Sequence, residues 1–273
     1  MYAINNKIFD LSMPKIMGIL NVTPDSFFDG GKYVTAKNIL TQVEKMLTDG
    51  ADIIDIGGMS TRPKAEFIDE ETETERVLNA LKIIKKEFPD ALISIDTFRS
   101  ALARKSILEG AHIINDISGG NFDAQMFQTV LDTKATYVLM HSRGTFETMM
   151  RKTLYNNLIT EVLDELILKL QFFKENNFSN LIIDIGLGFS KTVEQNFELL
   201  RNLSVFKILE FPMLVGVSRK SMIWRTLNIP SSEALNGTTA LNFYALQQGA
   251  QILRVHDVLE AYQTITLFKK LNI

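Results

Sequence analysis

Eight short apolar runs, rich in Ile, Leu and Val, recur along the chain, and nearly every one carries a polar side chain at or near its end. They are IMGILN ending at Asn21, ADIIDIGG ending at Gly58, ALISIDT ending at Thr97, HIINDIS ending at Ser118, TYVLMH ending at His141, LIIDIG ending at Gly186, MLVGVS ending at Ser218 and ILRVHDV ending at Val258. Their centres have little polar interruption, as expected of strands covered on both faces. The longer stretches between them space apolar residues as helices do, the pattern of successive βα units around a parallel sheet. Ile39, Leu40, Val43, Met46 and Leu47 mark one helix face, Val77, Leu78, Leu81 and Ile84 a second, and Leu158, Val162, Leu163, Leu166, Leu170 and Phe173 a third. Leu259, Tyr262, Ile265 and Leu267 mark a last one. The second opens with DEETETE, where carboxylates meet the positive end of the backbone dipole. Eight units in 273 residues average about 34 each, close to the ~250 residues typical of a (β/α)8 barrel. The expected fold is α/β, a single (β/α)8 TIM barrel domain over residues 1–273, with an open doubly wound sheet as the alternative.

Composition narrows the function classes. Lys plus Arg is 29 against 32 for Asp plus Glu, a formal net charge of -3. That balance argues against an extended surface for nucleic-acid phosphates. No apolar run reaches the roughly 18 residues that span a bilayer, and MYAINNKIFDLSM lacks the layout of a secretion signal. A soluble, cytoplasmic protein without membrane or nucleic-acid partners is expected. With zero cysteines, disulfides, thiolate metal sites and cysteine nucleophiles are excluded, so any metal is held by oxygen or imidazole.

In a parallel barrel the C-terminal ends of the strands converge on one mouth. The run endings supply Asn21, Asp55, Asp96, Asn115 with Asp116, His141, Asp184, Ser218, and Arg254 with His256 and Asp257. Any one alone is an ordinary cap of the following helix; eight together point to chemistry. The loops NVTPDSFFDGG and GGMSTRPKA mix hydroxyls, charge, Pro and Gly, and Ser60 and Thr61 beside Arg62 suit an anionic substrate. In DIGLGFSK, Gly186 and Gly188 let the backbone pass close to a planar ligand or a neighbouring loop; the spacing is neither a phosphate loop nor a dinucleotide fingerprint. A three-histidine metal site would need His112, His141 and His256 to converge. A serine hydrolase would need the absent GxSxG. Schiff-base chemistry at Lys220 would have its lysine after the strand, not in it.

The blocks NVTPDSFFDGG, GGMSTRP, SIDTFRS, NDISGG, MHSRGTFETM, DIGLGFSK, GVSRKSMI and NGTTALNFYALQQGAQILRVHDV together resemble the dihydropteroate synthase family, in order from the first strand to the last. The resemblance implies a (β/α)8 barrel that joins 6-hydroxymethyl-7,8-dihydropterin pyrophosphate to 4-aminobenzoate, giving 7,8-dihydropteroate and pyrophosphate. It implies a pterin held deep in the barrel by Asp184, Asp96, Asn115 and Lys220, with Arg254 on the ring plane. Asn21, Arg254 and His256 would meet the pyrophosphate, with Mg2+ bridging through Asn21. Phe27, Thr61, Pro63, Phe189 and Ser218 would border the aminobenzoate, and Asp29 and Arg62 would join the catalytic set, with Asp96, Asp184 and Lys220, when the loops close. Chemically, a pterin edge rich in N–H groups suits a buried carboxylate acceptor. The substrates themselves favour departure of pyrophosphate before the amine attacks.

Four residues depart from the family pattern: Met59 where Glu is common, Lys64 for Gly, Ile185 for Pro and Phe146 for Pro. The family usually forms homodimers. A pterin-binding methyltransferase domain and a non-catalytic pterin-binding paralogue are the competing functions; the two loops and the SRK segment favour the synthase.

Overall fold

The protein, seen as a computed structural model, is described for residues 2–4, 7–23, 36–59 and 68–271. Eight parallel strands close a barrel: β3 (Lys15–Asn21), β4 (Ile53–Gly57), β5 (Leu92–Asp96), β6 (Ile113–Asp116), β7 (Thr136–Met140), β8 (Leu181–Asp184), β9 (Met213–Val215) and β10 (Ile252–Val255), with β10 pairing back onto β3. Each run read in the sequence contributes one strand, and closure excludes the open sheet. Helices follow the strands: α1 (Ala36–Thr48), α2 (Glu70–Glu87), α3 (Ser100–Leu108), α4 (Met126–Thr133), α5 (Leu158–Glu175), α6 (Val193–Arg201), α7 (Ser221–Leu227), α8 (Leu235–Gln248) and α9 (Val258–Leu271). Not expected from the sequence is an antiparallel pair ahead of the barrel, β1 (Tyr2–Ile4) and β2 (Lys7–Phe9).

Strand side chains alternate between faces, and that alternation builds the site. Outward positions such as Ile54, Ile56, Ile93, Ile95, Leu139 and Ile183 pack with the helices in the main core, each worth about 1.5–3 kcal/mol when fully buried. Inward positions change character along each strand. Met17, Ile53, Ile113, Val138, Ile182, Leu214 and Ile252 form an apolar floor, capped by Phe9 of the N-terminal hairpin. Two residues further along, on the same face, stand Asp55, Asn115, Asp184 and Arg254. The floor is dry and the mouth is polar.

The acidic segment before α2 behaves as its charge predicts: Asp69 is the N-cap, its carboxylate accepting from the Thr72 amide at 2.7 Å. The expected face of α9 is corrected. Ile265 is buried as expected, but Leu259, Tyr262 and Leu267 are exposed, and the rest of the buried side is Val258, Ala261 and Thr264. Counted from Val258 these positions fall at i, i+3, i+6 and i+7 and include a small residue and a threonine, so apolarity alone picks out only one of them. Tyr262 instead covers the turn at Gly50, where an added Cβ would come within 2.6 Å of its ring. Among the described residues no helix is long and apolar enough to cross a membrane.

Candidate active site

Arg254, inward on β10, organises the barrel mouth. Its Nε donates to Asp55 Oδ2 at 2.7 Å and its Nη2 to Asp96 Oδ2 at 2.6 Å. Asn115 Nδ2 donates to the same Asp55 oxygen at 2.9 Å. Three strands far apart in sequence, β4, β6 and β10, are thereby tied at one carboxylate, and β5 joins through the guanidinium. A guanidinium fixed at two edges is a planar cation of set orientation. Asp55, fully buried, counts in the sequence as one of eight polar strand endings. It in fact lies mid-strand, and its role is to hold Arg254 and Asn115.

The remaining strand ends gather around this core. Gly57 separates Asn21 from Asp96: a Cβ there would meet Asn21 Oδ1 at 3.4 Å and Asp96 Oδ2 at 3.7 Å. Gly216 does the same between Arg254 and Lys220, whose Cβ and Nζ would lie 3.7 and 3.8 Å away. Asp184 Oδ1 accepts from the Gly186 amide at 2.7 Å. Lys220 donates to the Leu187 carbonyl, and its ammonium sits 4.9 Å from the centre of the Phe189 ring. Arg219 grips Asp257 through both carboxylate oxygens at 2.9 and 2.8 Å, and the His256 amide donates to Ser218 Oγ at 3.1 Å. These bonds fasten the loop after β9 to the loop after β10, so that Ser218, Lys220 and His256 share one rim.

The structure thus brings together Asn21, Asp96, Asn115, Asp184, Phe189, Ser218, Lys220, Arg254 and His256. Phe27, Asp29, Thr61, Arg62 and Pro63 lie outside the described residues. The three histidines do not converge. His112 sits at the opposite end of the barrel, its Nδ1 accepting from the Ile93 amide at 3.0 Å, and His141 is committed to Lys191 and Glu165. Among the described residues no group of His, Asp and Glu forms a metal cage.

Burial dominates the electrostatics. It pushes Asp96 up to about 7, against the pull of Arg254 and with help from the Asp55 charge. Asp184 is raised by burial too, opposed chiefly by Lys220. Lys220 is drawn down by burial to about 8, with Asp184 opposing. Arg254 remains a cation: against the cost of burial, Asp55 and Asp96 hold its proton more tightly than usual. The pocket therefore offers two carboxylates and a carboxamide facing two cations, with proton affinities that an incoming N–H-rich ring would alter.

The departures from the family pattern are absorbed locally. Met59 is buried in an apolar cluster with Phe98, Ile117, Met140, Met149 and Phe189. Phe146 packs against Phe98 with ring centres 6.0 Å apart, and Ile185 joins the main core. Lys64 lies outside the described residues.

A closed parallel barrel with carboxylates, an amide and cations at the C-terminal mouth defines the class: a TIM-barrel enzyme for a polar, planar substrate. The chain matches the pterin-binding enzyme family over residues 17–256. It is 42% identical over 264 residues to dihydropteroate synthase of Haemophilus influenzae, covering 94% of each. A solved structure of the Yersinia pestis dihydropteroate synthase with a sulfonamide drug complex superposes with a TM-score of 0.92 at 36% identity, covering 99% of this chain and 98% of that one. The Xanthomonas albilineans enzyme with 4-aminobenzoic acid superposes at 0.90 with 32% identity, covering 98% and 96%. The chain belongs to the dihydropteroate synthase family and is a transferase.

Proposed function

We propose that the barrel mouth condenses 6-hydroxymethyl-7,8-dihydropterin pyrophosphate with 4-aminobenzoate to give 7,8-dihydropteroate and pyrophosphate. One observation carries this reading: Arg254 is locked between Asp55 and Asp96 inside a ring that also holds Asn115 and Asp184. Such a ring offers acceptors to the N–H groups along a pterin edge and a cation beside the methylene that reacts. Asp184 accepts from the ring N–H and 2-amino groups, Asp96 and Asn115 serve the remaining edge, and Lys220 orients the carbonyl side. Arg254 uses Nε and Nη2 on the two carboxylates, which leaves Nη1 for the diphosphate beside His256 and Asn21. Phe189 and Ser218 border the aminobenzoate, together with Phe27, Thr61 and Pro63, and Asp29 and Arg62 complete the catalytic set from the two loops.

Mg2+ is part of this proposal. A hydrated Mg2+ carried by a diphosphate needs only one or two protein oxygens, and the Asn21 carboxamide at the end of β3 is such a donor. When bound, the ion neutralises charge on the leaving diphosphate.

In the proposed order, the methylene C–O bond breaks first and its electron pair leaves with pyrophosphate. The aniline nitrogen then donates its lone pair to the methylene and loses a proton. Conjugation makes that amine a poor nucleophile, whereas the pterin delocalises the positive charge. Fixed charges aimed at developing charge supply the largest catalytic effect in a water-excluded site: Asp96 and Asp184 face the cationic ring, and Arg254 and His256 face the diphosphate. The test is pyrophosphate release and dihydropteroate formation with and without 4-aminobenzoate. Slow release in its absence is expected, with single-turnover rates that depend only weakly on amine nucleophilicity. A steep dependence with no cleavage in its absence establishes direct displacement, and absence of product in folded, pterin-binding protein sinks the synthase reading. A homodimer belongs to the same proposal; the exposed apolar side chains of Val205, Ile208 and Leu227 offer surface for association, and sedimentation velocity decides it.

A further inference from the structure

Behind the wall of the site, Lys191 is buried and its ammonium is saturated. Nζ lies 3.0 Å from His141 Nδ1, 3.0 Å from the Gly186 carbonyl and 2.9 Å from the Phe189 carbonyl. A fourth, longer contact reaches the His141 carbonyl at 3.4 Å; an ammonium has three N–H groups and no acceptor, so every one of them has a partner. His141 Nδ1 must then present its lone pair, and the ring's N–H lies at Nε2, facing Glu165 Oε2 at 3.0 Å. Glu165 also accepts from Arg143 Nε at 2.8 Å. Burial and the Lys191 charge push His141 down to about 4, which keeps the ring neutral. Burial also draws Lys191 down to about 7, yet three carbonyls and a ring nitrogen around Nζ suit its charged form.

The groups held by Lys191 are the two ends of the Gly186–Phe189 turn. Gly186 has φ +70°, and a Cβ on it would come within 1.9 Å of the His141 carbonyl, so no other residue fits. From this turn the Gly186 amide reaches Asp184, the Leu187 carbonyl receives Lys220, and Phe189 presents its ring below the Lys220 ammonium. Lys191 holds the turn from behind while Lys220 holds it from the pocket.

We infer that Lys191, oriented by His141, is a positioning residue of this enzyme: by holding the Gly186 and Phe189 carbonyls it fixes the Phe189 ring at the aminobenzoate position without touching substrate. The inference rests on the synthase reading above. Its specific consequence is a split between the two substrates. The pterin keeps holds on Asp96 and Asn115, which are fixed through Arg254 and Asp55 and not by the turn, and the turn meets Asp184 through one backbone amide, while Phe189 is itself part of the turn.

The experiment measures steady-state kinetics with each substrate varied, pterin pyrophosphate affinity by calorimetry and melting temperature, for the parent, Lys191→Met and His141→Phe. In Lys191→Met the KM for 4-aminobenzoate is expected to rise about tenfold, the scale of stranding buried hydrogen-bonding groups, with pterin affinity changed less than about threefold. His141→Phe keeps the ammonium but removes one acceptor, and a KM increase of about threefold is expected. If Lys191→Met fails to fold, His141→Phe carries the test alone. An unchanged KM for 4-aminobenzoate, or equal loss for both substrates in step with melting temperature, overturns the positioning role. A parent protein that makes no dihydropteroate in the same assay overturns the synthase reading instead, so the two failures are distinct.

Discussion

Asp55→Asn tests the lock on Arg254. The substitution keeps the shape but removes the charge that meets Arg254 Nε at 2.7 Å and accepts from Asn115 at 2.9 Å. Breaking a buried ion pair costs about 3–5 kcal/mol when the partner is left alone. Here Asp96 stays on the guanidinium, so about 3 kcal/mol is the expected loss, or about 6 °C in melting temperature for a chain of this size. A second effect separates the lock from general destabilisation. The Asp55 charge helps hold Asp96 up at about 7. Two charges about 4 Å apart interact by about 4 kcal/mol at an effective dielectric of 20, and one pKa unit is about 1.4 kcal/mol, so even a third of that coupling moves Asp96 by about one unit. The acidic limb of kcat/KM for pterin pyrophosphate, which reports the free enzyme, should move about one pH unit lower in Asp55→Asn. At pH 8, where Asp96 is ionised in both proteins, kcat/KM should fall about tenfold because Arg254 has lost an anchor. A full-length pH profile alongside calorimetric melting reads all three. An unchanged melting temperature refutes the buried ion pair, and an acidic limb that does not move refutes the coupling to Asp96.

Other expectations follow from the same geometry. Because burial draws Lys220 to about 8, kcat/KM for pterin pyrophosphate should fall as pH rises past about 8; a flat profile to pH 10 removes Lys220's charge from substrate binding. Asp96 has a folded pKa raised above its unfolded value of 3.8, so its linked stability is present at low pH and is lost as pH rises through about 7. The melting temperature of Asp96→Asn relative to the parent should therefore improve between pH 5 and pH 8, and a difference independent of pH refutes the raised pKa. Asp184→Asn puts a donor against pterin N–H groups and should weaken pterin binding by at least about tenfold, measured by calorimetry; unchanged affinity takes Asp184 off the pocket floor. Sulfonamides should inhibit in competition with 4-aminobenzoate, and inhibition that added 4-aminobenzoate cannot relieve places the drug elsewhere.

The barrel was legible because each strand repeats the same lesson: apolar centre, polar end, then a helix with one apolar face. Asn21, Asp96, Asn115, Asp184 and Arg254 could be read for the same reason. The role of Asp55 could not. Its partner Arg254 lies 199 residues away, and only strand register brings the two together. A signal was present, since Asp55 shares the inward parity of Ile53 and Gly57, and an acid on that parity must find a cation inside. Lys191 stood in DIGLGFSK as one polar residue after a glycine pair; its importance depends on carbonyls, which sequence does not display. On α9 apolarity finds Ile265 but not Ala261 and Thr264, because Leu and Tyr outweigh Ala and Thr in a count of apolarity, whereas close packing on the barrel selects the small side chains.

The apolar floor capped by Phe9 makes the barrel a vessel with one door. Whatever sits deepest must arrive first, and a second molecule bound nearer the rim blocks its retreat. Under the proposed binding, with a pterin at the bottom and an aminobenzoate above it, the joined product would leave rim end leading, after pyrophosphate has cleared the way. Traffic through the site is then ordered by depth, and the seal that imposes the order is made at the end of the molecule farthest from the chemistry.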